Sequence, residues 1–167
     1  MVGKVLVVMG SDSDWKIMES AVTTLQSFGV EAEVHVASAH RVPDIVLAMS
    51  ANARKNGYSA IIAGAGAAAH LAGVLASKTT LPVIGVPLSG TALQGLDALY
   101  ATVQMPSGVP VATVAIDGAK NAALLAIQIM AVHDEVLAGL LAEEKEAMYA
   151  QVEEKDHKVR KLAGLEK

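Results

Sequence analysis

Two histidines, an arginine and several hydroxyl and carboxylate side chains stand in three short segments of this chain: Gly10-Ser11-Asp12-Ser13-Asp14, Ser38-Ala39-His40-Arg41 and Gly64-Ala65-Gly66-Ala67-Ala68-Ala69-His70. Among side chains an imidazole ordinarily titrates nearest neutrality, so His40 and His70 are candidate proton carriers. The planar fork of Arg41 suits a phosphate or a carboxylate. Gly10 permits a tight turn, and Ser11 and Ser13 set hydroxyls beside the N–H groups of a helix start, where an anion is stabilised. Asp12 and Asp14 would repel phosphate but can accept hydrogen bonds from sugar hydroxyls; Ser13 or Asp14 also reads as a plain N-cap. From Gly64 to Ala69 no side chain is bulky, so a ligand can reach the backbone amides. That run lacks the lysine of a phosphate-binding loop and the full dinucleotide fingerprint.

Other polar residues carry less. His35 alternates with valines and is expected at solvent, and His133 and His157 are expected on the surface of the carboxyl-terminal region. His40 and His70 have no third partner at metal-ligand spacing, so no metal site is read. Lys78, Gln104 and Lys120 are further candidates for the rim of a site.

These segments gain meaning from what precedes them. Val5-Leu6-Val7-Val8-Met9 is a continuous apolar run ending at Gly10, the pattern of a strand buried on both faces. Ile17, Ala21, Val22, Leu25 and Phe28 follow at helical spacing, closed by Gly29. Ala32, Val34 and Val36 alternate with Glu31, Glu33 and His35, which predicts a strand with one wet face at a sheet edge. Pro43 opens a second helix, and Arg54, Lys55 and Gly57 end it. Ala60-Ile61-Ile62-Ala63 and Val83-Ile84-Gly85-Val86 are the third and fourth strands, and residues 110–116 the fifth. Helices are expected near 71–78, 93–103 and 121–130. Strand and helix alternate throughout, the signature of right-handed βαβ units. The predicted fold is α/β, a single doubly wound, flavodoxin-like five-stranded parallel sheet of order 2-1-3-4-5. In such a sheet the loops outside the carboxyl ends of the strands share one rim, and all three segments would meet there.

Residues 133–162 read as one long helix with Leu137, Leu141, Met148, Val152 and Val159 along a narrow seam. About 28 residues of it would reach about 42 Å, more than the width of the domain. Residues 1–131 are therefore expected to form the catalytic domain and 132–167 a helical arm that packs on a neighbouring subunit. The fifth strand, an uncharged edge, also needs a cover.

Bulk composition agrees. The 167 residues suit one domain, 53% are hydrophobic but only 3% aromatic, and the core is therefore aliphatic. A net charge of -4 without a basic tract argues against nucleic acid, and the absence of cysteine excludes thiol chemistry and fits a reducing compartment. No apolar run approaches membrane-spanning length and no signal peptide is read, so a cytoplasmic location is expected.

Five motifs in order, Gly-Ser-Asp-Ser-Asp-Trp (10–15), Ser-Ala-His-Arg-x-Pro-Asp (38–44), Ala-Gly-Ala-Gly-x-Ala-Ala-His-Leu (63–71), Leu-Pro-Val-Ile-Gly-Val-Pro (81–87) and Gln-Met-Pro-x-Gly-Val-Pro-Val-Ala-Thr (104–113), resemble the N5-carboxyaminoimidazole ribonucleotide mutases of purine biosynthesis. The resemblance implies a flavodoxin-like subunit of a homo-octamer with sites at subunit junctions, acting on a small ribonucleotide. It implies an isomerase that moves a carboxylate from the exocyclic nitrogen of an aminoimidazole to a ring carbon, with no cofactor. By matching motif, Ser11, Asp14 and Arg41 bind the ribose phosphate, with Gly10 and Ser13 in the same loop. His40 transfers the proton, with Ser38 and His70 orienting it or binding the carboxylate. Gly64, Ala65, Gly66 and Leu71 belong to the segment around the imidazole. Two positions depart from the pattern: Ala67 stands where a third glycine is common, and Ala72 where a proline often follows His-Leu.

Two alternatives stand beside this reading. One is a direct carboxylase that joins free CO2 to aminoimidazole ribonucleotide; its branch lacks the loop histidine, so His70 favours the mutase. The other is a non-catalytic module, either a nucleotide sensor or a phosphorylation-controlled receiver. A receiver needs an acceptor aspartate after the third strand, where this chain has Gly64-Ala65-Gly66. A flavin carrier would want aromatic walls, and only Trp15 is near.

Overall fold

Five apolar residues in succession form β1 (Lys4–Met9), and Val5 to Met9 are each no more than 2% exposed because both faces of the strand are covered. The computed structural model describes residues 3–165. A 3₁₀ turn at Asp12–Asp14 follows β1. Then come α1 (Trp15–Ser27), β2 (Glu31–Val36), α2 (Pro43–Ala53), β3 (Tyr58–Gly66), α3 (Leu71–Ala76), β4 (Val83–Leu88), α4 (Leu96–Val103), β5 (Ala112–Thr113), α5 (Ala119–Ala131) and α6 (Glu135–Leu162). Every strand pair is parallel and the order is β2-β1-β3-β4-β5, the doubly wound arrangement that the alternation predicts.

The register sets the two layers. Leu6 and Val8 of β1 and Ile61 and Ala63 of β3 share a cluster with Val46 and Ala53 of α2 and Leu71 and Leu75 of α3. On the other side α1 comes so close that a Cβ on Gly64 would collide with Met18. Met18, Ala21 and Leu25, at helical spacing, are fully buried. Each such aliphatic side chain contributes about 1.5–3 kcal/mol on burial.

The chain separates into two units, Met1–Met130 and Ala131–Lys167. In the second, α6 runs 28 residues from an N-cap in which Asp134 accepts the Val136 and Leu137 N–H groups. Met148, Tyr149, Val152 and Val159 are exposed along it. No helix among the described residues is long and apolar enough to cross a membrane.

Three expected boundaries need correction. The fifth strand covers two residues rather than 110–116. Its partner β4 runs two residues further than expected, to Leu88. Pro87 turns its carbonyl to the Asp117 N–H at 2.9 Å but has no N–H to return, so the ladder stops after Thr113. Residues 93–95 are a turn before α4 rather than its start, with Gln94 and Gly95 both at positive φ.

The second strand is inverted relative to its pattern. Val34 and Val36 are 37% and 56% exposed, while Glu33 and His35 are half-buried. The reason is a polar cluster on the face where Tyr58 is buried. Lys4 Nζ donates to Glu33 Oε2 at 3.1 Å, His35 Nε2 donates to Glu33 Oε1 at 3.0 Å, and the Lys4 ammonium lies 4.3 Å from the Tyr58 ring centre. His35 is thus a partner of Glu33 rather than a solvent residue. Hydrogen bonds from Tyr58, His35 and Lys4 hold the Glu33 carboxyl at about 2, below its ordinary 4.5.

A carboxyl depressed by folding stabilises the native state above its unfolded pKa, and that contribution disappears as the pH falls through the folded value. Thermal melts of the unaltered protein and Glu33→Gln should therefore differ most near neutrality, with the variant less stable. The gap should close between about pH 4.5 and 2. A pH-independent gap would remove the ionised carboxylate from the account.

Candidate active site

The strand ladder continues past the strand ends and draws the loops together. The Ala37 N–H donates to the Met9 carbonyl at 2.8 Å, and the Gly10 N–H donates to the Gly64 carbonyl at 3.2 Å. Above these bonds lies a cavity of about 370 Å³, within the range of small-molecule sites. The first segment lines it with Gly10, Ser11, Ser13 and Asp14, and the second with Ser38, Ala39 and His40. Ala65, Gly66, Ala68 and Leu71 come from the third. The geometry thus brings together three segments that are dozens of residues apart.

In the first loop a capping box does the positioning. Asp14 Oδ2 accepts the Ser11 N–H at 2.9 Å, and Ser11 Oγ accepts the Ser13 N–H at 3.4 Å and the Ser13 hydroxyl at 2.9 Å. Asp12 Oδ1 takes the Ser11 hydroxyl and the Ser13 N–H. N-capping and site formation are therefore the same arrangement here. The amides of Ser11 and Ser13 are already engaged within the loop, which lines the cavity. Burial raises the Asp14 carboxyl above its ordinary value, opposed by hydrogen bonds from Ser11, Gly10 and Ser13.

The second and third loops meet through their histidines. His40 Nε2 and His70 Nδ1 are 2.9 Å apart, with the rings edge-to-face at 75°. One of the two nitrogens carries the hydrogen of this bond, which couples the tautomers of the rings. His40 is held by a turn in which the Ser38 carbonyl accepts the Arg41 and Val42 N–H groups, just before Pro43 starts α2. His70 is delivered by two successive tight turns, Ala69 N–H to Ala67 O and His70 N–H to Ala68 O, both 2.8 Å. It then caps α3, its carbonyl accepting the Val74 N–H. Ala67 sits at φ +47°, a left-handed conformation that costs an L-residue energy.

Some expected residues stand elsewhere. Arg41 and His70 are exposed and neither is among the residues lining the cavity, which His70 meets only through its bond to His40. Gly64 lies beneath it, where its missing side chain makes room for Met18 and its carbonyl holds Gly10. Lys78, Gln104, Lys120 and Trp15 do not line it either. Four lining residues fall outside the sequence reading: Ile17 of α1, and Leu88, Gly90 and Thr91 beyond β4. A signal for the last two was present, since Ser89-Gly90-Thr91 is a small polar segment soon after the fourth apolar run. Among the described residues no group of three His, Asp or Glu converges as a metal site.

The family model described as AIR carboxylase matches residues 4–151. The chain is 54% identical over 145 residues to the N5-carboxyaminoimidazole ribonucleotide mutase of Saccharolobus solfataricus, which covers 87% of this chain and 92% of that protein. It is 50% identical over 151 residues to the protein of the same name from Escherichia coli, covering 89% of each. Among solved structures, Treponema denticola PurE aligns with a TM-score of 0.85 at 29% identity, covering 94% of this chain and 98% of that one.

The strain at position 67 is measurable. Ala67→Gly removes a left-handed penalty of about 1–2 kcal/mol but adds the greater unfolded-state freedom of glycine, about 0.4–1 kcal/mol, for a net gain near 0.5–1 kcal/mol. Urea unfolding measures this directly, and a clear loss of stability would contradict the left-handed backbone at that residue.

Proposed function

The chain belongs to the AIR carboxylase family, and from that footing we propose that it catalyses the reaction its relatives are named for. N5-carboxyaminoimidazole ribonucleotide is converted to 4-carboxy-5-aminoimidazole ribonucleotide, an isomerisation in purine biosynthesis. The observation that carries the reading is the His40–His70 hydrogen bond beside a pocket walled by Ala39, Ala65, Gly66 and Ala68.

The reaction has two halves. In the first, the bond between the exocyclic nitrogen and the carboxylate carbon breaks. Its electron pair stays on nitrogen, which takes a proton from His40, and CO2 is released into the pocket. In the second, the ring carbon attacks CO2, and the now neutral His40 removes the proton from that carbon to restore the aromatic ring. The proton count closes, since the imidazole gives one proton and recovers one. When His40 is protonated, both of its ring nitrogens are donors. Nε2–H then faces Nδ1 of His70, and Nδ1–H is left for the substrate. Closely set walls of small residues keep CO2 next to the carbon that attacks it, in place of a bimolecular encounter.

The remaining parts follow from the lining. Ser11, Ser13 and Asp14 face the ribose phosphate, with Asp14 accepting from sugar hydroxyls. The lining of one protomer carries no lysine or arginine, and phosphate calls for a cation. Arg41 supplies it, and a homo-octamer with sites at subunit junctions completes the enclosure. In that assembly α6 is the arm that covers a neighbour, which its exposed Met148, Tyr149, Val152 and Val159 support. The absence of cysteine suits a cytoplasmic enzyme.

His40→Asn should lower kcat by about 10²–10⁴-fold while the nucleotide still binds. Assay with the N5-carboxy substrate, and separately with aminoimidazole ribonucleotide plus bicarbonate, tests the reading. Rapid turnover of the first without added bicarbonate is expected. Turnover of only the second would make the protein a direct carboxylase, and binding without turnover a sensor. Near-normal activity of the His40 variant would end the proton-carrier assignment.

A further inference from the structure

The fourth strand outruns its neighbour before it reaches the pocket. Gly85 still pairs on that side, its carbonyl accepting the Val114 N–H at 3.1 Å, but Pro87 and Ser89, the next two positions on the same edge, have no strand beside them. Asp117 stands in for one. Its N–H donates to the Pro87 carbonyl at 2.9 Å, and its side-chain Oδ1 accepts the Ser89 N–H at 2.9 Å. One residue thus supplies, from backbone and carboxylate, the donor and the acceptor that a longer β5 would have given. To do so it adopts φ +58°, a left-handed conformation that aspartate, asparagine and glycine tolerate better than other residues.

The residue is well mounted. Its carbonyl accepts the Ala119 N–H at 2.9 Å where α5 begins, and Ala119, Ala122, Ala123 and Ala126 of that helix are fully buried. Gly95 packs over the same point, where a Cβ would collide with Ile116. Ser89, which Asp117 holds, lies between Leu88 and Gly90, and both of these line the pocket together with Thr91. The far end of the segment is tied separately, the Thr91 hydroxyl standing 3.2 Å from both carboxylate oxygens of Asp97 in the first turn of α4. Asp117 itself is not a lining residue.

We propose that Asp117 is a positioning residue for the pocket: by holding the Ser89 amide, its carboxylate fixes where the wall formed by residues 88–91 stands against the serine and histidine loops, and so sets how tightly the nucleotide is bound. The proposal rests on the reading of the site given above. A backbone N–H that loses its acceptor turns toward water, and the lining residues on either side of it move with it. Position 87 cannot take over the task, because proline has no N–H to pair.

Two variants separate the side chain from the backbone turn. Asp117→Asn keeps an oxygen acceptor in a residue suited to left-handed φ. Asp117→Gly also accepts that φ but has nothing with which to hold Ser89. Amide hydrogen exchange is followed in both and in the unaltered protein, together with KM and kcat for N5-carboxyaminoimidazole ribonucleotide. In Asp117→Gly the Ser89 amide should exchange about 10–100-fold faster while the amides of β1 keep their rates. KM should rise several-fold, and kcat should change far less. Asp117→Asn should match the unaltered protein in every measurement.

A merely structural role gives another pattern: exchange quickens throughout the domain and kcat falls with the amount of folded protein, at constant KM. That pattern overturns the proposal. Unchanged exchange at Ser89 in Asp117→Gly also overturns it, as does quickened exchange with KM unaltered, or an asparagine variant as impaired as the glycine one. If the unaltered protein does not act on the nucleotide, the reading of the site fails and the consequence for binding falls with it. Exchange at Ser89 still decides whether the carboxylate holds the wall, so the two failures are distinguishable.

Discussion

The hydrogen bond from the Gly10 amide to the Gly64 carbonyl is the last connection between β1 and β3, and the pocket opens immediately above it. Parallel pairing makes that position unavoidable. Strands that run the same way end on the same side, so whatever sequence follows Met9, Val36, Gly66 and Leu88 is delivered to one rim. The close approach of α1 to the sheet depends in turn on Gly64, because a side chain there would collide with Met18. The site is therefore supported by an aliphatic core that contains none of its chemistry. Loss of packing beneath Gly64 would disperse serines, histidines and carboxylates together.

The division of labour above the sheet is equally physical. The serine loop satisfies the Ser11 and Ser13 amides from within itself. The histidine pair joins two loops through a bond between ring nitrogens, either of which can be the donor. The alanines and glycines contribute little besides shape. Small residues outnumber charged ones in the lining, so shape rather than charge dominates the pocket.

Much of this was legible in the chain. The unbroken run Val5 to Met9 could only be a strand covered on both faces, and the segments behind the first three strands announced the rim. The failures have specific causes. In β2 the alternation was read as apolar inward, but Lys4 and Tyr58, remote in sequence, bring Glu33 and His35 to the covered side and leave the valines out. Alternation gives the period of a strand; it does not say which face is inside when polar partners wait there. In β5 the apolar composition suggested seven residues, yet a single proline on the neighbouring strand removes the donor that would extend the ladder. Ending the fourth strand at Val86 hid the loop that supplies Gly90 and Thr91. The departure at Ala67 was visible as a substitution, but only coordinates reveal that it occupies the left-handed region.

The self-satisfied serine loop also bears on selectivity. A cradle of bare amides at a helix start captures whichever oxyanion is most abundant, and inside a cell that is inorganic phosphate. Here the Ser11 and Ser13 amides have internal acceptors, so a lone anion gains little by entering. A guest that fills the pocket instead meets several walls at once, serine hydroxyls on one side and alanines on another. Bonds that the loop makes within itself thus weaken its pull on a solitary oxyanion.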